Sequence, residues 1–228
     1  MGEPAYLDLK PNETITRLFD KRQNKLTPES LAAAVIAAIE SSLTKASGCG
    51  LLITADHYHL LLSDEDSMAA GPQSSKKIEA LIRGHIEARG YLTAQYVTVE
   101  VGSSLHIGHG MPEVMMRYSA GRFILSLSVK DLNTGKEFQA SAGEKLSLGR
   151  DPKNTIPIPQ PYVSSRHAEV ALTEDLRIVL TDLGSSNGTY VNDEKVKETA
   201  LASGARFRLT EEHPQEFQVT IVPERVVT

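Results

Sequence analysis

The chain is poor in the residue types that build sites by themselves. Its 228 residues hold one cysteine, Cys49, which excludes an internal disulfide and a cysteine-based zinc site. The most apolar stretch, LAAAVIAAI at 31–39, is far short of the ~20 residues that cross a bilayer as a helix. The N-terminus, MGEPAYLDLKPNE, has no basic segment followed by an apolar one, the pattern of a secretory signal. It opens Met-Gly, but Tyr6 stands where a myristoylation motif needs Ser or Thr. Positive charge is not in excess: 24 Lys and Arg against 29 Asp and Glu leave a net charge of −5. That argues against a general nucleic-acid binder and leaves room only for a local basic pocket. No GxSxG elbow surrounds any serine, and the Gly-Lys of NTGKEF (133–138) has no upstream glycine loop to cradle a phosphate. These absences point to a cytoplasmic protein without a cofactor and without a membrane-inserted segment.

What is present is enough for packed cores. Hydrophobic residues make up 40% of the chain and charged ones 23%, ordinary values for a globular protein. The length fits one large domain or two small ones.

The two halves differ in texture. In LTPESLAAAVIAAIESSLTKA, Thr27 reads as an N-cap, Pro28 as the first helical residue, and Leu31, Val35, Ile39 and Leu43 as one apolar stripe, ended by Gly48 and Gly50. LLITAD and YHLLLS read as two short strands, SSKKIEALIRGHIEARG as a second helix stopped by Gly90, and YLTAQYVTVEV as a strand. The order is αββαβ, an α+β domain with its helices on one face of a sheet. Beyond residue 120 short alternating segments recur between turn residues, from RFILSLSV to FQVTIV, the pattern of a β-sandwich. The expected organisation is a flexible tail over 1–13, an α+β domain over 14–118 and an all-β domain over 119–228. In the tail region, Thr14 is expected to cap a short helix beginning at Ile15. Thr14 and Thr16, which follow an acidic residue, are also candidates for phosphorylation.

Several motifs have bland readings. HIGH at 106–109 spells an aminoacyl-tRNA synthetase signature but lacks that family's large fold and lysine-rich partner, so it reads as a glycine-containing turn before a strand. His57 and His59 share a strand face without a supporting ligand cluster, so no metal is expected there. Asp64-Glu65-Asp66 lacks the spacing of a calcium loop and reads as a solvated turn.

The segment PYVSSRHAEV (161–170) poses the chemical question of this chain, since serine beside histidine is the raw material of a nucleophilic enzyme. A hydrolase also needs an orienting third group and an oxyanion hole, and nothing in the sequence supplies them, so no enzyme is expected. A different constellation is present: LGRD with Gly149 and Arg150, VSSRHAEV, and DLGSSNGTYVN ending in Asn192. Loops at one end of a sandwich can gather these into an arginine, several hydroxyls and an asparagine amide. Such a donor set suits a phosphate: a planar guanidinium fork with hydroxyls and backbone N–H groups for the remaining oxygens.

Over about residues 122–222 this set resembles the forkhead-associated (FHA) domain, a phosphothreonine-reading β-sandwich. The resemblance implies that Arg150 and Ser164 contact the phosphate, that Ser165 and Ser186 face the phosphothreonine, and that Asn187 binds the peptide backbone. Gly149, His167, Gly188 and Asn192 are implied to be structural in the binding loops. Many family members carry a basic residue where this chain has Ser165, and Arg166 reads as structural or peripheral. Residues around 151–162 and 182–186 are expected to set specificity. The first half resembles a domain of unknown function found ahead of FHA domains in bacterial, notably actinobacterial, proteins. The implied function is a non-catalytic adaptor that binds phosphothreonine-containing proteins downstream of Ser/Thr protein kinases, with a kinase or its substrates as partners. The alternative is a nucleic-acid-associated regulator using the first domain.

Overall fold

A computed structural model describes residues 5–46, 50–71 and 73–226. Gly48 and Cys49, named above, lie outside the described residues. The chain divides into two compact units, one made of Asp8–Lys45 with Leu51–Arg122, the other of Phe123 onward with a short N-terminal piece. No described helix is long and apolar enough to cross a membrane.

The first unit is a four-stranded sheet in the order Asn12–Arg17, Glu113–Tyr118, His57–Leu62, Thr98–Ser103, the last pair parallel. The helix Pro28–Ser42 begins as expected: Thr27 accepts from the Ser30 N–H, and Ser30 accepts from the Thr27 N–H in return. It packs against Ser74–Arg89, which ends at Gly90 in the left-handed conformation (φ +65°). Leu31, Val35 and Ile39, with Ile78, Ile82 and Ile86, join Tyr58, Leu60, Leu62, Val114 and Met116 in one core. Each such side chain contributes about 1.5–3 kcal/mol on burial.

Four expectations are corrected here. Residues 5–9 and 12–17, read as tail and helix start, are strands. Asn12–Arg17 pairs in register with Glu113–Tyr118, so Thr14 is no helix cap. Thr14 and Thr16 sit half-buried beside Met116 and Val114, and the Thr14 hydroxyl is enclosed. The first helix stops at Ser42, before the glycines. LLITAD contributes only the two-residue strand Leu52–Ile53. The acidic run Asp64-Glu65-Asp66 opens a helix, Asp64–Ala70, because Ser63 caps it and negative charge suits a helix N-terminus. Asp66 is buried there, accepting from Ser63 Oγ and the Gly110 N–H and lying 2.8 Å from His109 Nδ1.

The second unit is a β-sandwich. One sheet runs Ala5–Leu9, Gly121–Asp131, Gln215–Arg225, Arg206–Leu209, Thr189–Val191, Glu194–Val196, with Glu137–Ser141 also paired to Gly121–Asp131. The other runs Ile156–Pro157, Lys145–Gly149, Ala168–Leu172, Ile178–Asp182, Glu198–Leu201. Alternation sends Phe123, Leu125, Leu127 and Val129 inward from one strand, and Phe217, Val219 and Ile221 from its neighbour. Leu146, Leu148, Val170 and Leu180 are buried on the other sheet. Phe207 stacks on Phe217 at 5.2 Å.

Candidate functional site

Register gathers the candidate residues. Leu148 pairs with Ala168, and Ala168 pairs with Asp182. The loop that leaves after Gly149, the one that arrives before Ala168 and the one that leaves after Asp182 therefore emerge at the same end of one sheet. On the other sheet Thr189 pairs with Leu209, and the Thr210 N–H donates to the Gly188 carbonyl at 3.0 Å. The 210–214 loop joins the same end.

The loops are bonded to one another. The Arg150 N–H donates to the Ser164 carbonyl at 2.9 Å, and Arg150 Nε donates to the Val163 carbonyl at 3.2 Å. Ser164 Oγ accepts from the Ser186 N–H at 3.2 Å, leaving its own proton available to a ligand. Asn187 Nδ2 donates to the Tyr162 carbonyl at 2.7 Å, leaving its second N–H and its Oδ1 available. Arg150, Ser164, Ser186 and Asn187 are thus one connected cluster. Among the described residues no carboxylate lies within ion-pairing distance of Arg150, whose side chain is exposed. Ser165 adjoins the cluster by its backbone: its carbonyl accepts from the Asp151 N–H and Asn154 Nδ2, while its side chain is exposed. Arg166 turns aside to Glu169 at 2.9 Å. Burial pushes the Glu169 carboxyl up, but Lys145 and Arg166 outweigh it and hold it below its ordinary value.

His167 is fully buried and holds two loops with its two nitrogens. Nδ1 accepts from the Ser164 N–H at 3.3 Å, so Nε2 carries the proton and donates to the Gly188 carbonyl at 3.0 Å. Burial pushes its pKa below the ordinary imidazole value, against the pull of the Gly188 carbonyl and Asp182. The neutral ring is the form this double bond requires.

The glycines have steric reasons. A Cβ on Gly149 would run into the Ser165 carbonyl and Asn154 Nδ2. Gly188 sits at φ +81° under the Lys195 side chain. Asn192, with Asp193, takes positive φ in the tight hairpin between Thr189–Val191 and Glu194–Val196, away from the loop crossings.

Three bracing residues escaped the sequence reading. Asp182 accepts from the Gly184 and Ser185 N–H groups and from the Ser185 and Thr189 hydroxyls. Burial raises its pKa, but these four donors outweigh that and lower it overall. Asn154 ties the Arg150 turn to the serine loop through the Asp151 and Ser165 carbonyls. Tyr162 supplies the carbonyl that orients Asn187. Only Asp182 had a sequence signal, an acidic residue opening a Gly-Ser-Ser-Asn-Gly turn.

Of the other candidates, His57 Nδ1 bonds Thr98 Oγ1 at 2.6 Å. Among the described residues no group of three His, Cys, Asp or Glu is arranged to hold a metal. HIGH lies in the irregular loop before Glu113–Tyr118.

The loops at one end of the sandwich present an arginine without a carboxylate partner, a hydroxyl and an amide, a donor set that suits an anion. Residues 146–210 match the model of the FHA domain. Among curated proteins, the chain is 44% identical over 68 residues to the glycogen accumulation regulator GarA of Mycobacterium tuberculosis, covering 28% of this chain and 41% of that protein. It is 35% identical over 79 residues to the FHA domain-containing protein FhaA of Mycobacterium tuberculosis, covering 35% and 15%. The matched stretch thus spans less than half the length of either relative. Among solved structures, the Mycobacterium tuberculosis Rv1747 FHA-1 domain is 26% identical, covering 42% of this chain and 97% of that one with a TM-score of 0.38.

Proposed function

We propose that the chain is a non-catalytic, cytoplasmic adaptor that binds phosphothreonine-containing segments of partner proteins through the FHA end of its sandwich, downstream of bacterial Ser/Thr protein kinases. The observation that carries this reading is an exposed Arg150 guanidinium without a carboxylate partner, on a loop hydrogen-bonded to the loop that carries Ser164. Arg150 gives the phosphate charge and direction, and Ser164 donates its hydroxyl. Ser165 and Ser186 flank the phosphothreonine, and Asn187 holds the peptide backbone with its unused amide valences. Gly149, His167, Asn154 and Asp182 keep these groups fixed before the ligand arrives, which lowers the ordering cost of binding. The domains divide at about residues 119–122, with the strand Ala5–Leu9 joining the sandwich. The first domain, of the kind found ahead of bacterial FHA domains, localises or assembles the complex.

The test is a phosphopeptide-library screen on the full chain, with phosphoserine and unphosphorylated versions of each sequence as controls. Micromolar binding confined to phosphothreonine peptides is expected. Binding that ignores phosphorylation would overturn the reading.

A further inference from the structure

Beside the donor cluster lies a cavity of about 290 Å³ that shares Ser186 and Asn187 with it. Its remaining walls come from Tyr162, Tyr190, Lys195 and the 210–213 loop. Lys195 lies over Gly188. Glu211 and Glu212 are exposed on the 210–213 loop. Glu211 accepts from the Tyr190 hydroxyl at 3.3 Å, which fixes its direction. Among the described residues neither glutamate forms an ion pair.

An aromatic wall completes the cavity. The rings of Tyr162 and His213 pack at 4.8 Å with a 39° tilt. Gln215 Nε2 donates to the Tyr162 hydroxyl at 3.4 Å, and the Thr210 hydroxyl donates to the His213 carbonyl at 2.6 Å, at a residue with φ +67°. The wall is therefore held in place by its own loop. Two unneutralised carboxylates next to a fixed aromatic face suit one kind of side chain above others. A guanidinium stacks on a ring while its planar fork reaches carboxylates; an ammonium offers only a point charge.

We infer that this cavity takes an arginine side chain flanking the phosphothreonine, so that the ligand is a phosphopeptide with its anionic residue at Arg150 and a guanidinium between Glu211, Glu212 and the Tyr162–His213 wall. The inference rests on the phosphothreonine reading above. It assigns Glu211 and Glu212 as the residues that choose among phosphorylated partners.

The experiment is calorimetry on the full chain with phosphothreonine peptides carrying arginine at each flanking position in turn, and Gln, Lys or Glu at the same position. Arginine at one position should tighten binding about threefold to tenfold over Gln, the scale of a partly exposed ion pair with cation–π contact. Lys should gain less, and Glu should lose affinity. In the Glu211→Gln/Glu212→Gln variant the arginine advantage should vanish while the Gln peptide binds as before, showing that the variant is folded. Arginine giving no gain at any position, or a gain that survives in the variant, would overturn the inference and leave the phosphothreonine reading standing. If no phosphorylated peptide binds better than its unphosphorylated twin, the underlying reading falls and this one with it.

Discussion

Ser164 and His167 meet through the backbone: the Ser164 N–H, and not its hydroxyl, donates to His167 Nδ1 at 3.3 Å. The other imidazole nitrogen is engaged by the Gly188 carbonyl. A general base must accept the nucleophile's own proton, and here the hydroxyl turns to the Ser186 N–H instead. The pair that looks like chemistry in the sequence is a brace between two loops. Four measurements follow from this architecture.

Arg150→Ala should lower affinity for a phosphothreonine peptide about tenfold to a hundredfold, the value of one charge-assisted bond. The fold should persist, since the residue is exposed and its side chain contributes one hydrogen bond, to the Val163 carbonyl. Arg150→Lys should also bind more weakly, because a point charge does not reproduce the fork. Unchanged affinity by calorimetry would move the phosphate elsewhere.

Phosphothreonine should bind more tightly than phosphoserine in the same peptide. The FHA resemblance implies a small apolar niche for the threonine methyl, and one buried methyl is worth about 0.8 kcal/mol, roughly fourfold in affinity. Aspartate in place of the phosphothreonine should fail, since it lacks the tetrahedral oxygens and the charge of about −1.5 to −2. Equal binding of phosphothreonine and phosphoserine peptides would leave a purely electrostatic site.

Gly149→Ala should destabilise the sandwich unit by about 1–3 kcal/mol, because the new methyl must displace the Ser165 carbonyl in a packed region. The same displacement moves the serine loop away from Arg150, so phosphopeptide affinity should fall with stability. Denaturant unfolding and calorimetry on one preparation check both. A variant with native stability would mean that the loop yields freely.

Stability should decline as the pH falls below about 6.5, the ordinary value for histidine. His167 is neutral in the folded protein and its pKa is depressed by burial. The unfolded chain therefore takes up a proton that the folded one resists. The contribution is fully present above the unfolded value and is lost as the pH falls through the window below it. The depressed Asp182 carboxyl acts the same way in a separate window, below its ordinary value near 3.8. Thermal unfolding from pH 7 to pH 5 tests the first window, and His167→Gln should flatten the slope there. An equal slope in the variant would assign the effect to another group.

The order of textures, helical then all-β, was legible in the sequence, as were the capped start of Pro28–Ser42 and the strands of the sandwich, because each follows from local periodicity and turn chemistry. So were Arg150, Ser164, Ser186 and Asn187 as a group, since three short motifs carry them. Period and capping say nothing, however, about which distant segment completes a hydrogen-bond ladder. Asn12–Arg17 became a strand because Glu113–Tyr118 offers it an edge, and no local signal marks that pairing. It also turned Thr14 and Thr16 from tail residues into half-buried ones.

Which donors the chain owns, and that turns carry them, is readable from the residues alone. Their availability follows from long-range packing. The ladder from Leu148 through Ala168 to Asp182 brought the loops to one end. The burial of His167 and Asn154 beneath them, with the part-buried Asp182, set which hydroxyls and amides are engaged in bracing and which are left over. That assignment depends on long-range register and on the closeness of buried polar groups, each of which must find a partner once water is excluded, and neither is written in any stretch of ten residues.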